Sequence, residues 1–220
     1  MIDINLDLIK KYDRPGPRYT SYPTAPQFNN SFTSEKFLDE IIRTNNEINP
    51  PDLSLYFHIP YCDTLCYFCG CNMIVSRNRD RIKEYTNNLK NEIDLLRYYL
   101  KEDRKVVQLH WGGGTPTHLN PDEIIDLKNF INNNFSIDNN SEQGCEIDPR
   151  GLTRQHLEAL RSTGFNRISM GVQDFNEQVQ KAVNRIQPKE MTLEVINWIR
   201  DLKFQSMNLD LIYGLPHQTL

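Results

Sequence analysis

Alternating strand and helix signals along residues 53–212 predict a parallel α/β fold, and three observations carry that prediction. Five short candidate strands are separated by stretches long enough to need crossovers instead of hairpins. Between those runs, apolar residues recur at spacings of three and four, the period of a helix packed on a sheet. The strand ends carry cysteine, glycine, glutamate, glutamine and aspartate, and in parallel α/β proteins ligands bind at strand ends. Pattern alone leaves open whether right-handed crossovers close a barrel or lay down an open, doubly wound sheet.

Residues 1–50 are expected to form an N-terminal arm and a helix, apart from a core at residues 51–220. Ile2 to Tyr12 has a weak helical pattern. The following RPGPRYTSYPTAP, with Arg14 and Arg18, is too rich in proline, glycine and hydroxyls for regular structure and is expected to be an ordered arm. Ser34 to Thr44 reads as a helix with Ser34 as N-cap and Phe37, Leu38, Ile41 and Ile42 on one face.

In the core, Leu53 to Ile59 reads as a buried strand that delivers a cysteine-rich loop. Ile82, Tyr85, Leu89, Ile93, Leu96 and Leu100 mark a long helix beginning near Asp80. The second strand, Lys105 to Trp111, ends in Gly112 to Pro116, and the next helix starts at Asn120 with Pro121 at its first position. A third strand near Glu142 to Ile147 leads to a helix capped at Thr153 and stopped by Gly164, followed by a fourth strand at Asn166 to Val172. Asn176 to Asn184 and Pro188 to Leu202 read as helices, the latter with Leu193, Ile196 and Trp198 apolar. Ser206 to Ile212 is the fifth strand.

Four of the five cysteines lie in the loop after the first strand, and Cys62, Cys66 and Cys69 are spaced C-x3-C-x2-C. Three thiolates on one short loop can hold a four-iron, four-sulfur cluster and leave one iron free for a further ligand. Cys71 could supply a fourth thiolate, and geometry alone does not exclude it. A structural zinc site, the competing reading, usually pairs two knuckles across a dozen or more residues, and no second knuckle occurs. Tyr61, Tyr67 and Phe68 would give a redox centre an apolar cover. Cys145 should be a buried small hydrophobe pointing away from Glu146, and His58, His110 and His118 have no ligand spacing.

Other strand ends add candidates. Asp210 sits in the apolar run Met207 to Ile212, so in a strand buried on both faces its carboxylate would need a partner or a ligand. Gly112 to Gly114 match no phosphate-loop pattern, yet imply close approach of backbone. Arg185 could pair with a carboxylate.

Composition narrows the partners. The net charge is -4 and the pI about 5.8, with Lys and Arg dispersed, so nucleic acid is not an expected partner. No apolar run approaches membrane-spanning length and the N-terminus is not a secretory signal, so a cytoplasmic location is expected. Clustered cysteines suit a reducing compartment.

At its cysteine loop the chain resembles the radical S-adenosylmethionine superfamily, whose signature is C-x3-C-x2-C with an aromatic, here Phe68, before the third cysteine. YFHIPYC at Tyr56 to Cys62, CYFCGCN at Cys66 to Asn72 and GPRYTSYPTA at Gly16 to Ala25 resemble, more narrowly, the oxygen-independent coproporphyrinogen III oxidases of haem biosynthesis. The resemblance implies a partial parallel (β/α)6 barrel, cut short after the fifth strand and lacking the C-terminal domain. It implies a 4Fe-4S cluster on Cys62, Cys66 and Cys69, and two S-adenosylmethionine sites. The cluster-bound molecule would meet Tyr56, Phe68, Gly113 and Glu146; the second would meet Gly114, Thr115, Gln173, Arg185 and Asp210.

The implied chemistry is abstraction of hydrogen from two propionates of coproporphyrinogen III by a deoxyadenosyl radical, each followed by loss of carbon dioxide and one electron, giving the vinyl groups of protoporphyrinogen IX. It needs a tetrapyrrole substrate and a cellular electron donor, in a protein monomeric at full length. The 220 residues alone are expected to be inactive. A haem chaperone of the same superfamily is the alternative. Those relatives resemble C-x3-C-x-Y-C-D-F, whereas here Phe68-Cys69-Gly70-Cys71-Asn72 and the arm favour the oxidase.

Overall fold

The computed structural model describes residues 5–13 and 24–219. The arm motif at Gly16 to Ala25 lies outside them apart from Thr24 and Ala25. The chain divides into two compact units, residues 1–40 and 41–220. The first contains α1 (Leu6–Tyr12), capped by the Asn5 side chain, which accepts from the amides of Asp7 and Leu8. It also holds the start of α2 (Ser34–Asn45). Ser34 is the first helical residue and not the cap; the Thr33 hydroxyl accepts from the Lys36 amide at 3.4 Å, as an N-cap does.

The second unit is built on a parallel sheet. Its strands are β1 (Leu53–Ile59), β4 (Lys105–Gly113), β5 (Ser136–Ile147), β6 (Arg167–Gln173) and β7 (Ser206–Leu211), in the spatial order β1-β4-β5-β6-β7. A separate two-residue pair, β2 (Tyr61–Cys62) and β3 (Ile74–Val75), closes the base of the cysteine loop. The crossover helices are α3 (Arg79–Tyr99), α4 (Pro121–Asn134), α5 (Arg154–Ser162) and α7 (Lys189–Asp201), with the short α6 (Glu177–Ala182) before the last. Each crossover adds its strand beside the preceding one, and the order never reverses. That rules out the doubly wound alternative and makes the sheet an arc of a β/α barrel, open between β1 and β7.

Strand register explains how the sheet is two-faced. Leu55, Leu109, Trp111, Cys145, Ile168 and Met170 fall on one face and share a buried cluster with helix residues such as Ile82, Ile93, Leu127, Leu157 and Val195. Tyr56, His110, Gly144, Arg167 and Ser206 stand in register on the other, as do His58 with Gly112, Glu146 with Ser169 and Asn208, and Gly171 with Asp210. This second face is almost wholly polar, and hydrogen bonds cross it from Ser54 to Gln108, from Gln108 to Glu142 and from Arg167 to Glu142. The expectation of strands buried on both faces is therefore corrected. The first half of β1 is only partly covered, and most of β7 is exposed.

Local sequence sets the loops. Asn120 and Glu123 form a reciprocal capping box at 2.9 and 2.8 Å, with Pro121 at the first helical position, so α4 starts where its sequence indicates. β5 begins earlier than expected. Ser136 and Ile137 pair with Lys105 and Val106, then residues 138–141 bulge before Glu142 rejoins Gln108. On α7 the buried face is Thr192, Val195, Ile196 and Ile199, and Leu193 is exposed, contrary to its expected core position.

Lys128 of α4 is fully buried in this core; its ammonium meets Asn132 and lies 5.4 Å from the Phe165 ring centre. Burial lowers its pKa from 10.5 to about 8. The unfolded chain therefore binds more protons between these values, so stability should rise with pH across that window, and the cost is fully present below it. Lys128→Met is expected to raise stability at pH 7 by on the order of 2 kcal/mol and to flatten this pH dependence. Urea unfolding at pH 7 and pH 10 checks both effects.

Candidate active site

The cysteine loop is held at both ends and in the middle. The Ile74 amide donates to Pro60 O at 2.7 Å and the Ser76 amide to Cys62 O at 3.1 Å, closing its base. At its far side the Tyr67 amide donates to Val183 O, and the Asn184 side chain donates to Leu65 O at 2.7 Å. The turn between the second and third cysteines is fixed by the Cys69 amide on Cys66 O.

The triple glycine supports this loop from below. Gly114 N donates to Ile59 O and Thr115 N to Tyr61 O, each at 2.9 Å. A Cβ on Gly114 would lie 2.6 Å from Pro60 O, and one on Gly113, where φ is +119°, would lie 2.9 Å from the His58 ring. The close backbone approach expected here is thus to the cysteine-bearing segment, and these two amides are already committed.

Around the sulfurs the donor set is specific. Cys62 Sγ lies 3.4 Å from the Thr115 hydroxyl. Cys66 is buried and accepts from Arg150 Nη2 at 3.2 Å and, at a longer 3.7 Å, from Arg185 Nη1. Asp148 holds both guanidiniums, at 2.6 Å for Arg150 and 3.2 Å for Arg185. Burial alone would raise the Asp148 carboxyl, but hydrogen bonds from Arg150 and the Arg185 charge more than reverse it and hold it below the usual carboxylate range. Burial pushes the Cys62 thiol up, opposed by the Thr115 hydroxyl. Cys71 is pushed up to about 11, first by burial and then by neighbouring Cys69. Metal binding would have to displace these protons.

Among the described residues no three His, Cys, Asp or Glu side chains converge as they would on a single metal ion. The thiolates of a four-iron cluster each take a different iron and do not meet at one point. N–H and O–H donors aimed at Cys66 and Cys62 are what iron-bound thiolates require, so these residues fit such a cluster. A polar cleft of about 660 Å³ lies beside the loop, lined by Cys62, Thr64, Thr115, His118, Arg150 and Asn184 among others.

On the polar sheet face Tyr56 stacks on His110 at 6.1 Å, His110 Nε2 is 3.4 Å from Glu146 Oε1, and a Cβ on Gly112 would lie 3.0 to 3.1 Å from Tyr56 and Glu146. His58 Nε2 donates to Asn72 O at 2.7 Å, which leaves Nδ1 to accept from the Tyr56 hydroxyl at 3.1 Å. This histidine ties the polar face to the end of the cysteine loop. Burial, Glu146 and Cys71 all raise the Tyr56 phenol.

The model of the radical SAM superfamily matches residues 56–220. The chain belongs to that superfamily. It is 50% identical over 218 residues to the oxygen-independent coproporphyrinogen III oxidase of Salmonella typhimurium, covering 99% of this chain and 47% of that one. It is 46% identical over 222 residues to the enzyme of that name from Helicobacter pylori, covering 100% and 48%. The solved structure of the coproporphyrinogen III oxidase HemN from Escherichia coli, described as a radical SAM enzyme, superposes with a TM-score of 0.87 at 46% identity, covering 99% of this chain and 48% of that one. The chain thus spans about half the length of these relatives.

Membership brings a 4Fe-4S cluster and S-adenosylmethionine as the cofactors of the superfamily. In this radical SAM protein the residues singled out by sequence do not all fall in one place. Tyr56 and Glu146 come together on the polar face beside Gly112 and Gly113, while Phe68 is half-buried on the loop itself. Gly114 and Thr115 lie under Cys62, and Gln173 ends β6 at a φ of +69°. Asp210 stands further round, exposed on β7, accepting from Asn208 at 2.7 Å and Ser169 at 3.5 Å; the burial argument that singled it out does not hold. Arg185 is buried beside Cys66, its donors spent on Gly171 O, Gln187 and Asp148. Cys145 lies fully buried in the core, as expected. Asp148 and Arg150 were missed, since an Asp-Pro-Arg-Gly turn before a helix carries no sign that it reaches a cysteine 84 residues away.

Proposed function

We propose that the chain is the cofactor-binding half of an oxygen-independent coproporphyrinogen III oxidase, which converts two propionates of coproporphyrinogen III to the vinyl groups of protoporphyrinogen IX in haem biosynthesis. The observation that carries this is the agreement between chain-long identity to relatives of that name and the superposition on the Escherichia coli enzyme. When bound, the cluster and S-adenosylmethionine supply a carbon-centred oxidant that removes hydrogen from the substrate. The chain's own residues position and exclude water. Cys62, Cys66 and Cys69 hold the cluster, Thr115 and Arg150 donate to its sulfurs, and the triple glycine fixes the loop's height over the sheet. Tyr56, Phe68, Gly113 and Glu146 take the cluster-bound S-adenosylmethionine.

A second S-adenosylmethionine is proposed for Gly114, Thr115, Gln173, Arg185 and Asp210. Asp210→Asn is expected to weaken S-adenosylmethionine binding by calorimetry while changing stability by less than about 0.5 kcal/mol, because Asp210 is exposed. Equal affinity in the variant would remove Asp210 from the site. On this reading residues 1–50 are an arm and helix serving the core at 51–220. The full-length protein is a cytoplasmic monomer that takes electrons from a cellular donor and engages neither nucleic acid nor membrane. No helix among the described residues is long and apolar enough to cross a membrane.

The test is a chimera in which this chain replaces the matched half of the Escherichia coli enzyme, assayed without oxygen with coproporphyrinogen III, S-adenosylmethionine and a reductant. Protoporphyrinogen IX is expected, and none from the Cys66→Ala chimera. A chimera fully loaded with iron that leaves coproporphyrinogen III untouched contradicts the assignment.

A further inference from the structure

We infer that Arg150 is a positioning residue for the cluster: its guanidinium donates to the Cys66 sulfur and so raises the potential at which a cluster held there accepts an electron. The inference rests on the cofactor reading above and adds a residue outside the cysteine motif. Arg150 is not a surface charge that happens to fall nearby. Its Nε donates to both Asp148 oxygens at 3.0 and 3.1 Å, and its Nη1 reaches Thr64 Oγ1 at 3.3 Å and Asn184 O at 3.5 Å. Nη2 is shared between Asp148 at 2.6 Å and Cys66 Sγ at 3.2 Å. All three guanidinium nitrogens are thereby committed, and the planar fork is aimed at the sulfur without freedom to turn away.

The anchor is as well fixed as the arginine. Asp148 also accepts from the Arg150 amide at 3.0 Å and from Arg185, so the carboxylate cannot follow solvent. A thiolate bound to iron carries part of the cluster's negative charge, and reduction adds one more electron to that charge. A cation with an N–H aimed at the sulfur stabilises the reduced state more than the oxidised one, which shifts the potential upward. Arg185 lies at the longer 3.7 Å and is tied to Gly171 O, so Arg150 makes the shorter contact. Arg150 also lines the cleft that reaches Cys62, placing it between the cleft and the buried Cys66.

The test is a mediated redox titration, with dithionite as the electron source, of the anaerobically reconstituted chain followed by electron paramagnetic resonance, with iron counted in parallel. Wild type is compared with Arg150→Ala, Arg150→Gln and Arg150→Lys, and with Arg77→Ala, which removes a charge from the same cleft but is paired with Asp63 and contacts no cysteine. Arg150→Ala is expected to keep its iron and to shift the midpoint downward by at least a tenfold change in the reduction equilibrium, about 59 mV for one electron. The glutamine variant keeps a donor without the charge and the lysine variant keeps the charge and donors without the planar fork; both should fall between, and Arg77→Ala should stay with wild type. An unmoved midpoint in Arg150→Ala overturns the inference, as does an equal shift in Arg77→Ala, which would make the effect one of net charge. Loss of iron from all three Arg150 variants overturns it too, in favour of a folding role. Wild-type protein that takes up no cluster overturns the cofactor reading itself, and that failure is visible before any variant is compared.

Discussion

Alanine at Cys62, Cys66 or Cys69 is expected to reduce iron to near zero after anaerobic reconstitution, while Cys71→Ala keeps iron and sulfide close to wild type. The structure separates these thiols. Cys62 sits on the paired base of the loop against the Thr115 hydroxyl, and Cys66 is buried between Arg150 and Arg185. Cys69 is locked to Cys66 through a backbone hydrogen bond. Cys71 is exposed, next to Cys69 at the outer end of the cysteine run. A two-ligand remnant of a three-ligand cluster lacks the chelation that makes assembly favourable, so each of the three losses should be close to complete. Iron lost equally from Cys71→Ala would mean a four-thiolate site with no iron left open.

Among the described glycines, Gly114→Ala should be the most damaging substitution. Its Cβ would stand 2.6 Å from Pro60 O and 2.8 Å from Tyr61 O, and both are backbone atoms that cannot rotate aside. Relief requires moving the segment that carries Cys62 off β4, breaking the hydrogen bonds from Gly114 and Thr115. We expect a loss of about 3 kcal/mol or more in urea unfolding, together with poor iron uptake by the protein that remains folded. Gly70→Ala is the control, because nothing lies within 4 Å of its added methyl, and it should change stability by less than about 0.5 kcal/mol. Equal stability of the two variants would show that the glycines do not bear on the loop.

Much of this site is local in sequence and was legible there. Cys62, Cys66 and Cys69 lie within eight residues, Asn120-Pro121-Asp122-Glu123 encodes its own capping box, and the spacing of apolar residues marks the helices that cross over between parallel strands. What was not legible depends on long-range pairing. The third strand is expected only from about Glu142, yet it starts at Ser136 and residues 138–141 bulge out of it, because Lys105 and Val106 hold its first two residues. Asp210 looked buried because its neighbours are apolar, but β7 is the edge strand of the sheet, and Leu209 and Leu211 are exposed along with the aspartate. The convergence of Asp148, Arg150 and Arg185 on Cys66 spans up to 119 residues and is produced by strand order alone.

The central claim is that the three-cysteine loop leaves one iron open to S-adenosylmethionine. The direct measurement is the electron paramagnetic resonance spectrum of the reduced, reconstituted chain with and without S-adenosylmethionine, on wild type and Cys71→Ala. S-adenosylmethionine is expected to change the spectrum of both proteins in the same way. A spectrum unaltered at saturating S-adenosylmethionine, in protein holding four irons per chain, would contradict it.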